Sequence, residues 1–158
     1  MKRYFIICLI MSTLLTSCAS KQDSFALGTK KMDKLYEHVN QRTMNETWEF
    51  AFLNDKYWSL QEIEDIYGLD MTKIEEAYVK SSNIEAELSE IAFFKTEQVN
   101  DAHINEGIGK RIQAIERKWG SYVPTCAHYI KTAQQGRIGK YYYFIFGKDS
   151  EKVVNYIT

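Results

Sequence analysis

Lys140-Tyr141-Tyr142-Tyr143-Phe144-Ile145-Phe146 is the stretch on which the fold turns. In an extended chain successive side chains alternate in direction, so Tyr141, Tyr143 and Ile145 face one way and Tyr142, Phe144 and Phe146 the other. Both sets are apolar. Such a strand is either central in a sheet and covered on both faces, or it displays an aromatic surface to a partner. Burial is the favoured reading, because large apolar side chains are mostly inside. A strand near Tyr129–Gln134 and a turn over Gly136–Gly139 would complete a hairpin with it.

Working outward, Leu88 to Lys95 contains Ile91, Phe93 and Phe94 and reads as a second strongly apolar strand, and Glu76 to Ser81 as a third. Ser82, Asn83 and their neighbours form the turn between these two. Between the two strand pairs, Ile104, Ile108, Ile112, Ile115 and Trp119 recur at helical spacing, predicting a long helix from about Val99 to Trp119. Lys110, Arg111, Arg117 and Lys118 fall in its later turns, where cations complement the helix dipole. Gly120 and Pro124 end it. Upstream, Ser59-Leu60-Gln61-Glu62 is a capping box opening a short helix, with Gly68 as its left-handed stop. Met32, Leu35, Tyr36 and Val39 mark a first helix over about Lys31–Met44. Asn45 to Tyr57 is aromatic-rich without a clean period and reads as a partly packed connection. Asp149 or Ser150 caps a last helix carrying Val153, Val154 and Ile157. The order is N-terminal helices followed by β-β-α-β-β-α. That is an α+β domain, with a small antiparallel sheet and helices mainly on one face.

The first residues set an expected address. Lys2 and Arg3 precede an apolar run from Tyr4 to Leu15, which is of signal-peptide length and too short for a spanning helix of about 20 residues. Leu15-Thr16-Ser17-Cys18 closely resembles the bacterial lipobox, in which the cysteine thiol is diacylglycerated and the cut leaves that cysteine as the mature N-terminus. Residues 1–17 are then the signal peptide, and Cys18 with residues up to 30 the lipidated cysteine and flexible tether. Residues 31–158 are one folded domain. Two acyl chains suffice for stable attachment where one is marginal, so the expected location is the extracytoplasmic face of the cell membrane.

Composition narrows the function classes. Without residues 1–17 the chain keeps 141 residues, with 18 Lys and Arg against 21 Asp and Glu, a formal charge of −3. That length suits one domain, and a mildly acidic balance argues against nucleic acid as a partner. With Cys8 in the signal and Cys18 carrying lipid, Cys126 stands alone. No disulfide framework or zinc ligand set follows, and no metal or other cofactor is expected.

The part from Trp58 onward, about 100 of the 158 residues, resembles a family of short bacterial lipoproteins, mostly from Gram-positive gut anaerobes, known as a domain of unknown function. The matching elements are Tyr67-Gly68-Leu69-Asp70, Glu90-Ile91-Ala92-Phe93-Phe94-Lys95, Trp119-Gly120-Ser121-Tyr122-Val123-Pro124 and Gly139-Lys140-Tyr141. At Ser81-Ser82-Asn83-Ile84 the chain departs from relatives that carry a methionine-rich segment. The resemblance implies a lipoprotein with one small α+β domain, and implies no activity. The matched residues also act as fold determinants: Trp119 closes the apolar stripe, with Tyr122 expected beside it, and Gly139 lets the hairpin turn.

Candidate chemistry is sparse. Cys126-Ala127-His128 is the one nucleophile and base close in sequence: in an extended segment the two side chains approach, in a helix they diverge. His38, His103 and His128 are dispersed. Glu75, Glu76, Glu85, Glu87, Glu90 and Glu97 form a loose acidic zone without the ligand spacing of a calcium loop, and read as a solvated face. Gly107-Ile108-Gly109-Lys110 lies within the helical pattern, where glycines permit close packing and no phosphate loop exists. The expectation is a non-catalytic module that holds a protein, peptide or small ligand at the cell surface, through a surface near Trp119, Tyr122, Tyr141, Tyr142 and Tyr143. An envelope hydrolase or thiol enzyme using Cys126 and His128, and an accessory subunit of an uptake system, are the alternatives.

Overall fold

The computed structural model describes residues 29–82, 87–96 and 101–158. The expected signal peptide, Cys18, most of the expected tether, the turn residue Asn83, Glu85 and Glu97 of the acidic zone and the expected helix start at Val99 lie outside the described residues.

Two helices come first, α1 (Thr29–Met44) and α2 (Leu60–Tyr67), and a 3-10 turn at Met71–Lys73 follows. Next are β1 (Glu76–Ser81), β2 (Glu90–Lys95), α3 (Asp101–Trp119), α4 (Cys126–Thr132), β3 (Gln134–Ile138), β4 (Tyr141–Phe146) and α5 (Ser150–Ile157). The four strands form one antiparallel sheet in the order β1-β2-β4-β3. The α+β class is the one read from the sequence, and the element order fits that reading apart from the additional helix α4.

The aromatic strand β4 is central, and every one of its residues is buried. On one face Ile91, Phe93, Tyr141, Tyr143 and Ile145 pack with Met32, Tyr36 and Val39 of α1 and Val153 and Ile157 of α5. On the other, Ala92, Phe94, Tyr142, Phe144 and Phe146 meet Ile63 and Tyr67 of α2, Ile104, Ile108 and Ile115 of α3, and Cys126 of α4. Three helices thus lie on one face and two on the other, which is why β4 needs no polar side. Each fully buried large side chain contributes about 1.5–3 kcal/mol. Phe93, Phe94, Phe144 and Phe146 therefore make this strand pair the energetic centre of the domain.

Local signals mostly hold. Ser59 and Glu62 form the reciprocal capping box, and Gly68 takes the left-handed stop at φ 63°. In the aromatic connection, Phe50 and Leu53 are buried and Leu53 bridges to Ser82. Two expectations fail in one place. The segment read as a strand over Tyr129–Gln134 is α4 followed by the start of β3. Gly136, read as part of the turn, is inside β3 opposite Tyr143. A Cβ on Gly136 would meet the Tyr143 hydroxyl at 2.5 Å, so this glycine lets the ring lie across the strand. The turn itself is tight, with Gly139 at φ 59°.

Candidate functional site

Glu90 opens β2. Side chains two apart on a strand share a face, so Glu90 points with Ala92 and Phe94 toward the side covered by α2, α3 and α4. It is 1% exposed. A carboxylate there needs partners, and α2 and α3 supply them. Arg111 stands three residues after Ile108 and four before Ile115, on the buried stripe of α3. It grips Glu90 side-on: Nε donates to Oε1 and Oε2 at 3.1 Å each, and Nη2 donates to Oε2 at 2.5 Å. From the end of α2, the Tyr67 hydroxyl donates to Glu90 Oε1 in a short bond.

The electrostatics follow from this packing. Burial, and then the Glu90 charge, push the Tyr67 phenol well above its ordinary range. Burial alone would lower the Arg111 guanidinium, but the charge and hydrogen bonds of Glu90 outweigh it and raise it. Arg111 is thus a fixed cation whose orientation is set by a buried carboxylate.

Above this pair is a cavity of about 230 Å³, walled by Trp58, Trp119, Ile66, Ile115 and Phe146, with Ser81 and Ser89 at its polar side. The Trp58 ring lies over the guanidinium, 5.3 Å from Cζ. Its Nε1 donates to Ser81 Oγ at 3.2 Å and its backbone N–H to Val79 at 3.0 Å, which fixes the indole against β1. Trp119 lines the same cavity, and Lys118 covers its ring at 4.8 Å. The arrangement is a pre-oriented cation faced by the Trp58 indole in a cavity that Trp119 also lines, a geometry that suits recognition of an anionic group. Charge and aromatic walls converge on one pocket, the usual form of a small-ligand site.

The residues singled out in sequence are placed as follows. Trp119 lines the cavity. Tyr141, Tyr142 and Tyr143 do not form a surface, because both faces of β4 are covered; they are 4%, 5% and 9% exposed. Tyr141 instead donates to Glu76 Oε2 at 2.8 Å, and Arg137 lies over the Tyr142 ring. Tyr122 is 80% exposed and does not pack beside Trp119 as expected. Cys126 and His128 lie on α4, a helix, so their side chains diverge: the thiol is buried, and the imidazole is exposed. Burial, then Glu116, raises the thiol's pKa, the reverse of what a nucleophile needs. His103 accepts from the Asp70 backbone N–H and ties α3 to the 3-10 turn. Gly107 packs on Leu69 and the Tyr67 carbonyl as close packing requires, whereas Gly109 faces open space. Among the described residues, no group of three or more His, Cys, Asp or Glu converges, and no helix is long and apolar enough to cross a membrane.

Sequence reasoning missed the Glu90–Arg111 pair. In the sequence Glu90 falls in the acidic zone that reads as a solvated face, and Arg111 among the cations that complement the helix dipole; the structure pairs them inside. The usable signals were position on an apolar strand face and position on the helix stripe.

Residues 46–147 match the family described as a domain of unknown function, DUF4358. The span starts ahead of Trp58, stops before α5, and includes every residue of the cavity. No curated protein and no solved structure matches the chain.

Proposed function

The chain belongs to the DUF4358 family, and we propose that it serves as a lipid-anchored, extracytoplasmic binding module that holds a small ligand in the Trp58–Arg111–Trp119 cavity. The observation that carries the binding reading is Arg111, locked by a buried carboxylate and faced by an indole in a cavity. A side chain held in one orientation pays less ordering entropy on binding. The address is supported by Lys2 and Arg3, the apolar run and Leu15-Thr16-Ser17-Cys18. At up to about 3.6 Å per residue the tether keeps the domain within tens of ångströms of the bilayer. Small-ligand capture is favoured over protein docking because the hairpin tyrosines are inside.

Two experiments test the two halves. Metabolic labelling with an alkyne fatty acid tags the wild-type chain and not Cys18→Ala; equal labelling of the variant contradicts the anchor. For the cavity, a panel of small aromatic fragments is titrated into the mature chain while the three indole N–H resonances are followed. Trp58 and Trp119 shift saturably, whereas Trp48, which packs on the opposite core, does not. Equal shifts at all three, or none at Trp58 and Trp119, overturn the site.

A further inference from the structure

Resting on that cavity reading, we infer that the group it recognises is a monoanionic carboxylate carried on a compact apolar body. A guanidinium has five N–H donors in a planar fork. Glu90 takes the side edge, through Nε and one Nη2 hydrogen. The end-on edge, made by the second Nη2 hydrogen and one Nη1 hydrogen, is left. Nη1 donates to no described residue and is not a buried polar atom without a partner, and Arg111 lines the cavity, so this edge is assigned to the cavity. Arg111 keeps 20% of its side-chain surface exposed. Two parallel N–H groups at fixed spacing match the two oxygens of a carboxylate, the geometry for which arginine is preferred.

The same geometry selects the charge. Glu90 sits on the adjacent edge of the same guanidinium, so an incoming dianion such as a phosphate monoester meets a fixed negative charge at short range. Glu90 already offsets the charge of Arg111, so a dianion is opposed about twice as strongly as a monoanion, whose two oxygens the end-on edge can still pair. The walls select the remainder of the ligand: Trp58, Ile115, Trp119 and Phe146 offer flat and branched apolar surface. At about 230 Å³ the cavity is smaller than the 300–1,000 Å³ of drug-sized sites, so it takes a fragment-sized acid or one terminal residue of a peptide. A free aryl or branched-chain acid and a peptide C-terminus share this chemistry.

The test uses the mature full-length chain and three probes: phenylacetate, phenylacetamide and phenylphosphonate. Indole resonances of Trp58 and Trp119 give each affinity. Phenylacetate binds at least tenfold more tightly than the isosteric amide, and more tightly than the phosphonate dianion above pH 8. In Arg111→Lys, which keeps the charge beside Glu90 but has no planar end-on edge, the preference for acid over amide disappears. The ligand comparison in the wild type stands even if that variant does not fold. Amide binding equal to or tighter than acid overturns the carboxylate assignment and leaves the cavity reading intact; absence of any probe from the cavity overturns both. Acetyl-Ala-Ala-Phe compared with its C-terminal amide separates the sources. Tighter binding of the peptide acid than of phenylacetate assigns a peptide end, and weaker binding a free acid.

Discussion

Replacing Arg111 by methionine tests the buried pair beneath the cavity. Methionine keeps the length of the stem and packs against Ile108 and Ile115, so little apolar contact is lost. What changes is Glu90, which is 1% exposed and would keep the Tyr67 hydroxyl as its one remaining side-chain donor among those described. Removing one member of a buried ion pair costs about 3–5 kcal/mol, chiefly through the charge left without its partner. Because Arg111 is itself 20% exposed, the lower end applies, about 3 kcal/mol, equivalent to roughly 10 °C in Tm for a chain of this length. The partner variant, Glu90→Met with Arg111→Met and Tyr67→Phe, removes both charges and the stranded hydroxyl together. It recovers most of the loss, since apolar replacement of a whole buried network is often neutral. Urea unfolding followed by tryptophan fluorescence reads both, with an unchanged m value showing that the denatured state is the same. If Arg111→Met costs less than about 1 kcal/mol, Glu90 is solvated and the site is not the desolvated fork described above.

Further outcomes follow from single residues. Gly107→Ala destabilises by about 1–3 kcal/mol through overpacking on Leu69, whereas Gly109→Ala stabilises by up to about 1 kcal/mol through helix propensity alone; thermal unfolding of the pair gives opposite signs. Asp70 is pulled down to about 2 by the Thr72 hydroxyl, Lys73 and the Thr72 backbone N–H. Its contribution to stability is therefore complete above the ordinary carboxylate range near 4 and fades as pH falls toward 2. Carbon-detected NMR titration places its midpoint near 2, and Thr72→Val moves that midpoint upward. Cys126 resists iodoacetamide in the folded chain and reacts quickly in urea; fast labelling of the native chain, abolished by His128→Ala, would restore the thiol-enzyme reading.

The sheet was legible because its centre is extreme. A strand with tyrosine, phenylalanine and isoleucine on both faces has one comfortable place, between two covered sides, and the structure puts β4 there. The capping box at Ser59 and Glu62 was legible because it is a local, reciprocal hydrogen-bond pattern. In contrast, α4 was not. Cys126-Ala127-His128-Tyr129-Ile130-Lys131-Thr132 has one and a half to two turns, no side-chain cap hydrogen bond, and β-prone Tyr129 and Ile130. Its helix is held by docking Cys126 and Tyr129 against the Phe146 side of the sheet, a tertiary contact that no window of sequence contains. Gly136 and Gly139 looked alike as turn formers, and only the cross-strand position of Tyr143 tells them apart. The site was least legible. Glu90 and Arg111 are far apart in the chain, and each alone looks like one more surface charge. Glu90 shares its strand face with Ala92 and Phe94, however, and once β2 is covered on both sides it must find a cation inside.

The most direct measurement is a high-resolution crystal structure of the mature chain soaked with phenylacetate. The carboxylate oxygens are expected about 2.7–2.9 Å from Nη1 and Nη2 of Arg111, on the edge that Glu90 leaves open, with the ring between Trp58 and Trp119. A ring turned inward with the carboxylate in solvent, or an acid bound on another face with this cavity holding water alone, would contradict it.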